Sequence, residues 1–110
     1  MALRLSLRSD YYREQDILYL RPYPLPSYGV HEPALDFLVY ITDTESEEVV
    51  GFEILDFSSL FPRLDDAELA PYLKVRFDLP EAGLRDVSLR EVLIWAAGRY
   101  LVSERVASYA

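Results

Sequence analysis

Two alternating runs joined by a short acidic turn constrain this chain more than any other feature. In Leu35–Thr42, Phe37, Val39 and Ile41 alternate with Asp36, Leu38, Tyr40 and Thr42. In Val49–Phe57, Val50, Phe52, Ile54 and Asp56 alternate with Val49, Gly51, Glu53 and Leu55. Successive side chains of a strand point to opposite faces, so this period of two, rich in β-branched and aromatic residues, predicts a hairpin. Both of its faces carry apolar groups. Such a hairpin belongs inside a sheet, with cover expected on both sides.

The flanking sequence supplies further elements. Residues 2–8 set Leu3, Leu5 and Leu7 against Arg4, Ser6 and Arg8, a half-buried strand, and Ser9–Asp16 reads as a polar turn. Ile17–Arg21 is a second short strand. Pro22, Pro24, Pro26, Gly29 and Pro33 then predict a loop, because proline lacks an amide donor and biases its neighbour to extended geometry. Loops of about a dozen residues are uncommon in compact domains and tend to carry function. This one holds Tyr23, Tyr28 and His31, the chain's single histidine, and is the expected binding surface. Ser58–Leu69 reads as an irregular or one-turn helical connection. From Pro71, Leu73, Val75, Phe77 and Leu79 alternate with Tyr72, Lys74, Arg76 and Asp78 as a further strand, ended by Pro80 and Gly83. Ser88 with Glu91 three residues on is a capping box. It opens a helix expected from Ser88 to Val106, with Leu89, Val92, Leu93, Ala96 and Tyr100 on one stripe and Gly98 able to kink or end it. The expected fold is α+β: residues 1–110 as a single domain, a mostly antiparallel sheet of about five strands with the C-terminal helix packed on one face.

Charge and composition exclude several function classes. Eleven basic against nineteen acidic residues give a formal charge of −8. The arginines are scattered, so no basic patch is available to neutralise phosphates, and nucleic-acid binding is not expected. A basic protein partner would be attracted instead. Cysteine is absent, which removes disulfides, thiolate catalysis and cysteine-based zinc sites. No secretory leader and no apolar run near the length of a membrane span is present, so a cytoplasmic protein without membrane contact is expected. Nine tyrosines stand out, a residue type that favours interfaces by burying area while keeping a polar tip. Ile94, Trp95 and Val102 lie off the helix stripe and predict a homodimer through the helix or a sheet edge.

Candidate chemistry is sparse. Glu53, paired with Asp56 or with Asp36 on the neighbouring strand, could form an acid–base couple, or could simply meet an arginine or a backbone amide. Asp43, Glu45, Glu47 and Glu48 crowd one turn, but the sixth and twelfth places counted from Asp43 hold Glu48 and Ile54, not the glycine and acid of an EF-hand. His31 alone is no ligand set. No nucleophile elbow, phosphate loop or dinucleotide fingerprint occurs. No catalytic residue, metal or cofactor is therefore assigned.

The stretch from Tyr11 to Ser58 resembles a small bacterial family, domain of unknown function 2283. The similarity lies in Asp16-Ile17-Leu18-Tyr19-Leu20, in Asp43 near the turn, and in Val50-Gly51-Phe52-Glu53-Ile54-Leu55-Asp56-Phe57-Ser58. Tyr12 replaces the family's usual aspartate, the acidic turn lacks glycine, and Leu64–Ala110 falls outside the similarity. The resemblance implies no activity. It implies an antitoxin-like partner protein, since members are described as encoded beside putative toxins. Together these readings predict a non-enzymatic protein-interaction module binding a basic partner. The alternative is a small-molecule-binding protein or weak hydrolase using the Tyr23–His31 loop and Glu53.

Overall fold

The alternating runs become strands, and the computed structural model describes them within residues 5–22, 30–45 and 48–102, apart from the side chains of Phe61 and Val102. Five form one antiparallel sheet: β1 (Leu7–Tyr12), β2 (Ile17–Pro22), β3 (Val30–Leu35), β4 (Leu38–Thr42) and β5 (Val49–Ile54). Their spatial order is β1-β2-β5-β4-β3, so the predicted hairpin β4–β5 supplies the central strand. A separate two-stranded hairpin pairs β6 (Arg76–Leu79) with β7 (Leu84–Ser88). Short helical turns fill the connection between them: α1 (Phe57–Leu60), two 3-10 turns (Phe61–Arg63 and Ala67–Leu69) and α2 (Ala70–Leu73). The helix α3 (Leu89–Ala96) follows and widens into a π-helical turn at Ala97–Val102. The fold is α+β, with the C-terminal helix packed into the core of the molecule.

One face of the sheet builds that core. Leu7, Leu18, Leu20, Leu38, Phe52 and Ile54 project from it and meet Phe57, Leu60, Leu73, Phe77, Val92 and Leu93 from the small hairpin and the helices. The Phe52 ring, wholly buried, contacts Tyr40 edge-on at 5.6 Å and Phe77 at 5.7 Å, which ties the sheet's centre to the small hairpin. Tyr11 likewise packs on Phe57 at 5.7 Å and on Tyr100 at 5.4 Å, anchoring the end of the helix. The capping box forms as expected. The Glu91 amide donates to Ser88 Oγ at 3.2 Å and the Ser88 amide to Glu91 Oε2 at 3.0 Å.

Several local expectations are corrected. The first strand is Leu7–Tyr12, where a turn was expected from Ser9. Ser9 and Tyr11 continue the inward side of Leu7, and their polar groups are satisfied inside: Ser9 Oγ meets the Tyr100 hydroxyl at 2.8 Å, and the Tyr11 hydroxyl donates to Asp16 at 2.6 Å. Polarity alone therefore misplaced the boundary. Residues 30–34, assigned to the loop, form β3 together with Leu35, so the first hairpin strand is Leu38–Thr42 with Asp36 and Phe37 in the turn, and Pro33 is tolerated because β3 is an edge strand whose outer amides need no partner. Pro71 opens a helical turn, a position where its missing amide costs nothing, so the next strand is only Arg76–Leu79. Its partner β7 was not anticipated. Helix continues only to Val102 among the described residues, and the rest of the expected stretch lies outside them, as do Leu3 and the prolines at 24 and 26.

The small hairpin also closes the outer edge of β1. The Asp78 amide donates to the Leu5 carbonyl at 2.8 Å, Ser6 and Asp78 form a parallel bridge, and the Ser9 amide donates to the Glu81 carboxylate. Both lateral edges of the large sheet are thus occupied or blunted, one by Glu81 and β6, the other by Pro33.

Candidate binding face

The face of the large sheet turned away from the core collects the sequence's unassigned side chains. Register sets them in two rows. Asp10, Tyr19, Glu53, Val39 and Pro33 lie abreast across the five strands, and the row built on Arg8, Arg21, Gly51, Ile41 and His31 runs beside it. None of Tyr12, Ile17, Tyr19, Val39 and Ile41 belongs to the core cluster. The expectation of cover on both sides of the hairpin is met on one side only among the described residues: Phe57, Leu60, Leu73, Val92 and Leu93 of the helices all pack in the core cluster with Phe52.

Two arrangements organise this second face. In the first, the Arg21 guanidinium lies 4.0 Å over the Tyr19 ring, and the Tyr12 ring stands 4.8 Å from Tyr19 at an inclination of 58°, giving a continuous Arg–Tyr–Tyr cluster across β1 and β2. Tyr12 is 41% exposed, a large ring left facing solvent. In the second, His31 Nδ1 meets Glu53 Oε1 at 2.9 Å, reaching over β4 from its two sides. Ile41 on that strand is only 7% exposed, and its Cδ1 lies 3.3 Å from where a Cβ at the facing Gly51 would stand. The carboxylate fixes the imidazole's orientation through one ring nitrogen. A hydrolytic dyad also needs a nucleophile within hydrogen-bond reach. The hydroxyls of Ser9, Thr42 and Ser58 are committed elsewhere, to Tyr100, to the Val30 carbonyl at 3.3 Å and to Asp16 at 2.6 Å. The pair links β3 to β5 across β4, and its loss in Glu53→Gln is expected to lower stability by about 0.5–1 kcal/mol in urea unfolding.

The sequence-predicted residues fare unequally. His31 and Glu53, named separately, are brought into contact. Tyr23 and Tyr28 lie outside the described residues. Glu53 does not couple to Asp36 or Asp56. Asp36 sits in the β3–β4 turn, and Asp56 adopts a left-handed conformation (φ 51°) whose carbonyl accepts the Leu60 amide at the start of α1. Among the described residues, no group of three or more histidines and acids converges to hold a metal. The acidic turn is closed by the Asp43 amide donating to the Glu48 carbonyl at 2.9 Å. Sequence reading did not single out Tyr12, Tyr19 and Arg21. The signal was present: Tyr19 alternates with the buried Leu18 and Leu20, which puts it and Arg21 on the other face.

Electrostatics around the face follow from how the basic residues are spent. Arg63 binds Asp66 at 3.0 Å and Glu68 at 2.8 Å, Arg76 binds Asp86 at 3.0 Å, and Arg90 binds Asp65 at 2.9 Å. Arginines neutralised locally leave the acidic excess to set the field felt by a partner. On the core side, burial and then the nearby Tyr72 phenol push the Tyr40 hydroxyl above its ordinary pKa. No described helix is long and apolar enough to cross a membrane.

The sequence blocks Asp16–Leu20 and Val50–Ser58 meet in this architecture. β2 and β5 pair as Leu18 with Ile54, Tyr19 with Glu53 and Leu20 with Phe52. Beyond the pairing, the Asp16 carboxylate takes the Ser58 amide at 3.0 Å and the Ser58 hydroxyl at 2.6 Å. Comparisons with protein-family models, with curated proteins and with solved structures find no match to this chain, so the reading of its site rests on this geometry.

Proposed function

We propose that the chain is a non-enzymatic protein-interaction module whose second sheet face receives a basic partner protein, in the antitoxin-like manner that the motif resemblance implies. The observation that carries this reading is the Arg21–Tyr19–Tyr12 cluster, a set of rings standing outside the core on a face with no helix over it among the described residues. Aromatic faces attract arginine and lysine side chains, and the chain's net charge of −8 draws a basic protein toward it.

The test is capture from the native cells on immobilised wild-type chain and on a Tyr12→Ser/Tyr19→Ser variant, with melting curves on both. One stoichiometric basic protein held by the wild type, with affinity falling at least about tenfold in the variant at an unchanged melting temperature, is the expected result. Equal retention by both forms would refute the assignment of this face. The His31–Glu53 pair favours a second reading, a small-molecule binder at that end of the face. Ligand-dependent stabilisation abolished by His31→Ala would select it over the first.

A further inference from the structure

We infer that the outer stripe of α3 is a self-docking surface, and that its occupant is the same stripe of a second copy of this chain, run antiparallel. Glu91, Ile94, Trp95 and Gly98 follow one another at the spacing i, i+3, i+4 and i+7 and therefore share one side of the helix. The opposite side, with Leu89, Val92, Leu93, Ala96 and Ala97, is consumed by the core. Ile94 is 41% exposed and takes no part in the core cluster.

The stripe is complementary to itself. Four residues at this spacing form the kind of hole that accepts a knob from a facing helix, and Ile94 is the knob. The floor of the hole is Gly98, around whose absent Cβ nothing lies within 4 Å. Trp95, Arg99 and Tyr100 line the shallow hollow with Ile94 and Gly98. A two-fold axis passing between residues 94 and 95 seats each Ile94 in the other copy's hollow. The same axis brings Glu91 of each copy beside the other's Arg99. Within one copy, Arg99 lies 5.7 Å over Trp95 and 5.8 Å over Tyr100, with no carboxylate partner among the described residues. The sheet edges are poorer candidates, since Glu81 occupies one and Pro33 removes a donor from the other.

Sedimentation velocity on the full chain tests this independently of any other partner. The wild type is expected to pass from monomer to dimer between roughly 1 and 200 µM, the range suited to a small apolar patch. Arg99→Glu and Glu91→Lys should each weaken association at least about tenfold, because each places like charges together twice across the axis. Mixing the two variants in equal amounts should restore the dimer, because both cross-pairs are then opposite in sign. Ile94→Asp should leave monomer throughout. If Glu91→Lys weakens the helix cap enough to unfold, Arg99→Glu and Ile94→Asp still decide, as neither touches the cap. A wild type that stays monomeric to 200 µM, or an Ile94→Asp chain that dimerises as well as the wild type, overturns the inference.

Discussion

Gly51→Ala is expected to cost about 3 kcal/mol, a fall of about 15 °C in melting temperature for a domain of this size. Gly51 lies on the central strand, where β5 passes between β2 and β4. A Cβ built there meets the Leu20 carbonyl oxygen at 2.7 Å and Ile41 Cδ1 at 3.3 Å. The first contact is with backbone, which cannot rotate away as a side-chain end can. Relief requires the β2–β5 spacing to open, and that pair carries the fully buried Leu18, Leu20, Phe52 and Ile54. Thermal unfolding followed by circular dichroism is the measurement. A melting temperature within about 2 °C of the wild type would show that the strands yield without loss, and the close approach would then not be the reason for glycine here.

Asp16→Ala is expected to cost about 3 kcal/mol, from two sources. The side chain accepts from the Tyr11 hydroxyl at 2.6 Å, the Ser58 amide at 3.0 Å and the Ser58 hydroxyl at 2.6 Å, joining the β1–β2 turn to the start of α1. Its backbone sits at φ 57°, a left-handed conformation that aspartate and asparagine tolerate better than alanine does. Asp16→Asn separates the two. It keeps the conformational tolerance and one oxygen acceptor, and is expected to lose about half as much. Urea midpoints for both variants check this. Equal losses would assign the whole effect to the carboxylate charge. A loss under about 0.5 kcal/mol for alanine would remove Asp16 from the list of residues that fix the fold.

How far the sequence discloses such contacts depends on whether the responsible force is local. The β4–β5 hairpin and the Ser88–Glu91 cap were legible because a period of two and a three-residue reach are short-range properties. β7 was not, because Arg85 and Asp86 interrupt any alternation, and Arg76 holds the strand through Asp86 from the facing β6. The same division applies to the binding face. His31 and Glu53 were recognisable singly as chemistry-bearing residues. Their contact exists because β3, β4 and β5 lie side by side, and strand order is a global property. Tyr12, Tyr19 and Arg21 were hidden differently: tyrosine serves cores and surfaces equally, as Tyr11 and Tyr12 show by pointing to opposite sides of one strand. Pro33 was misread because a proline's meaning depends on whether its strand is at an edge.

The closure of both sheet margins bears on how this chain behaves when crowded. Growth of a cross-β fibril needs an exposed strand that can template an incoming one, amide by amide. On one margin Glu81 and the β6 hairpin already occupy the template positions, and on the other Pro33 interrupts the donor series. A sheet this rich in aromatic and branched residues would otherwise be a nucleus for deposition. With one margin partly occupied and the other blunted by Pro33, templating at the edges of the large sheet is expected to be slowed when the folded chain accumulates.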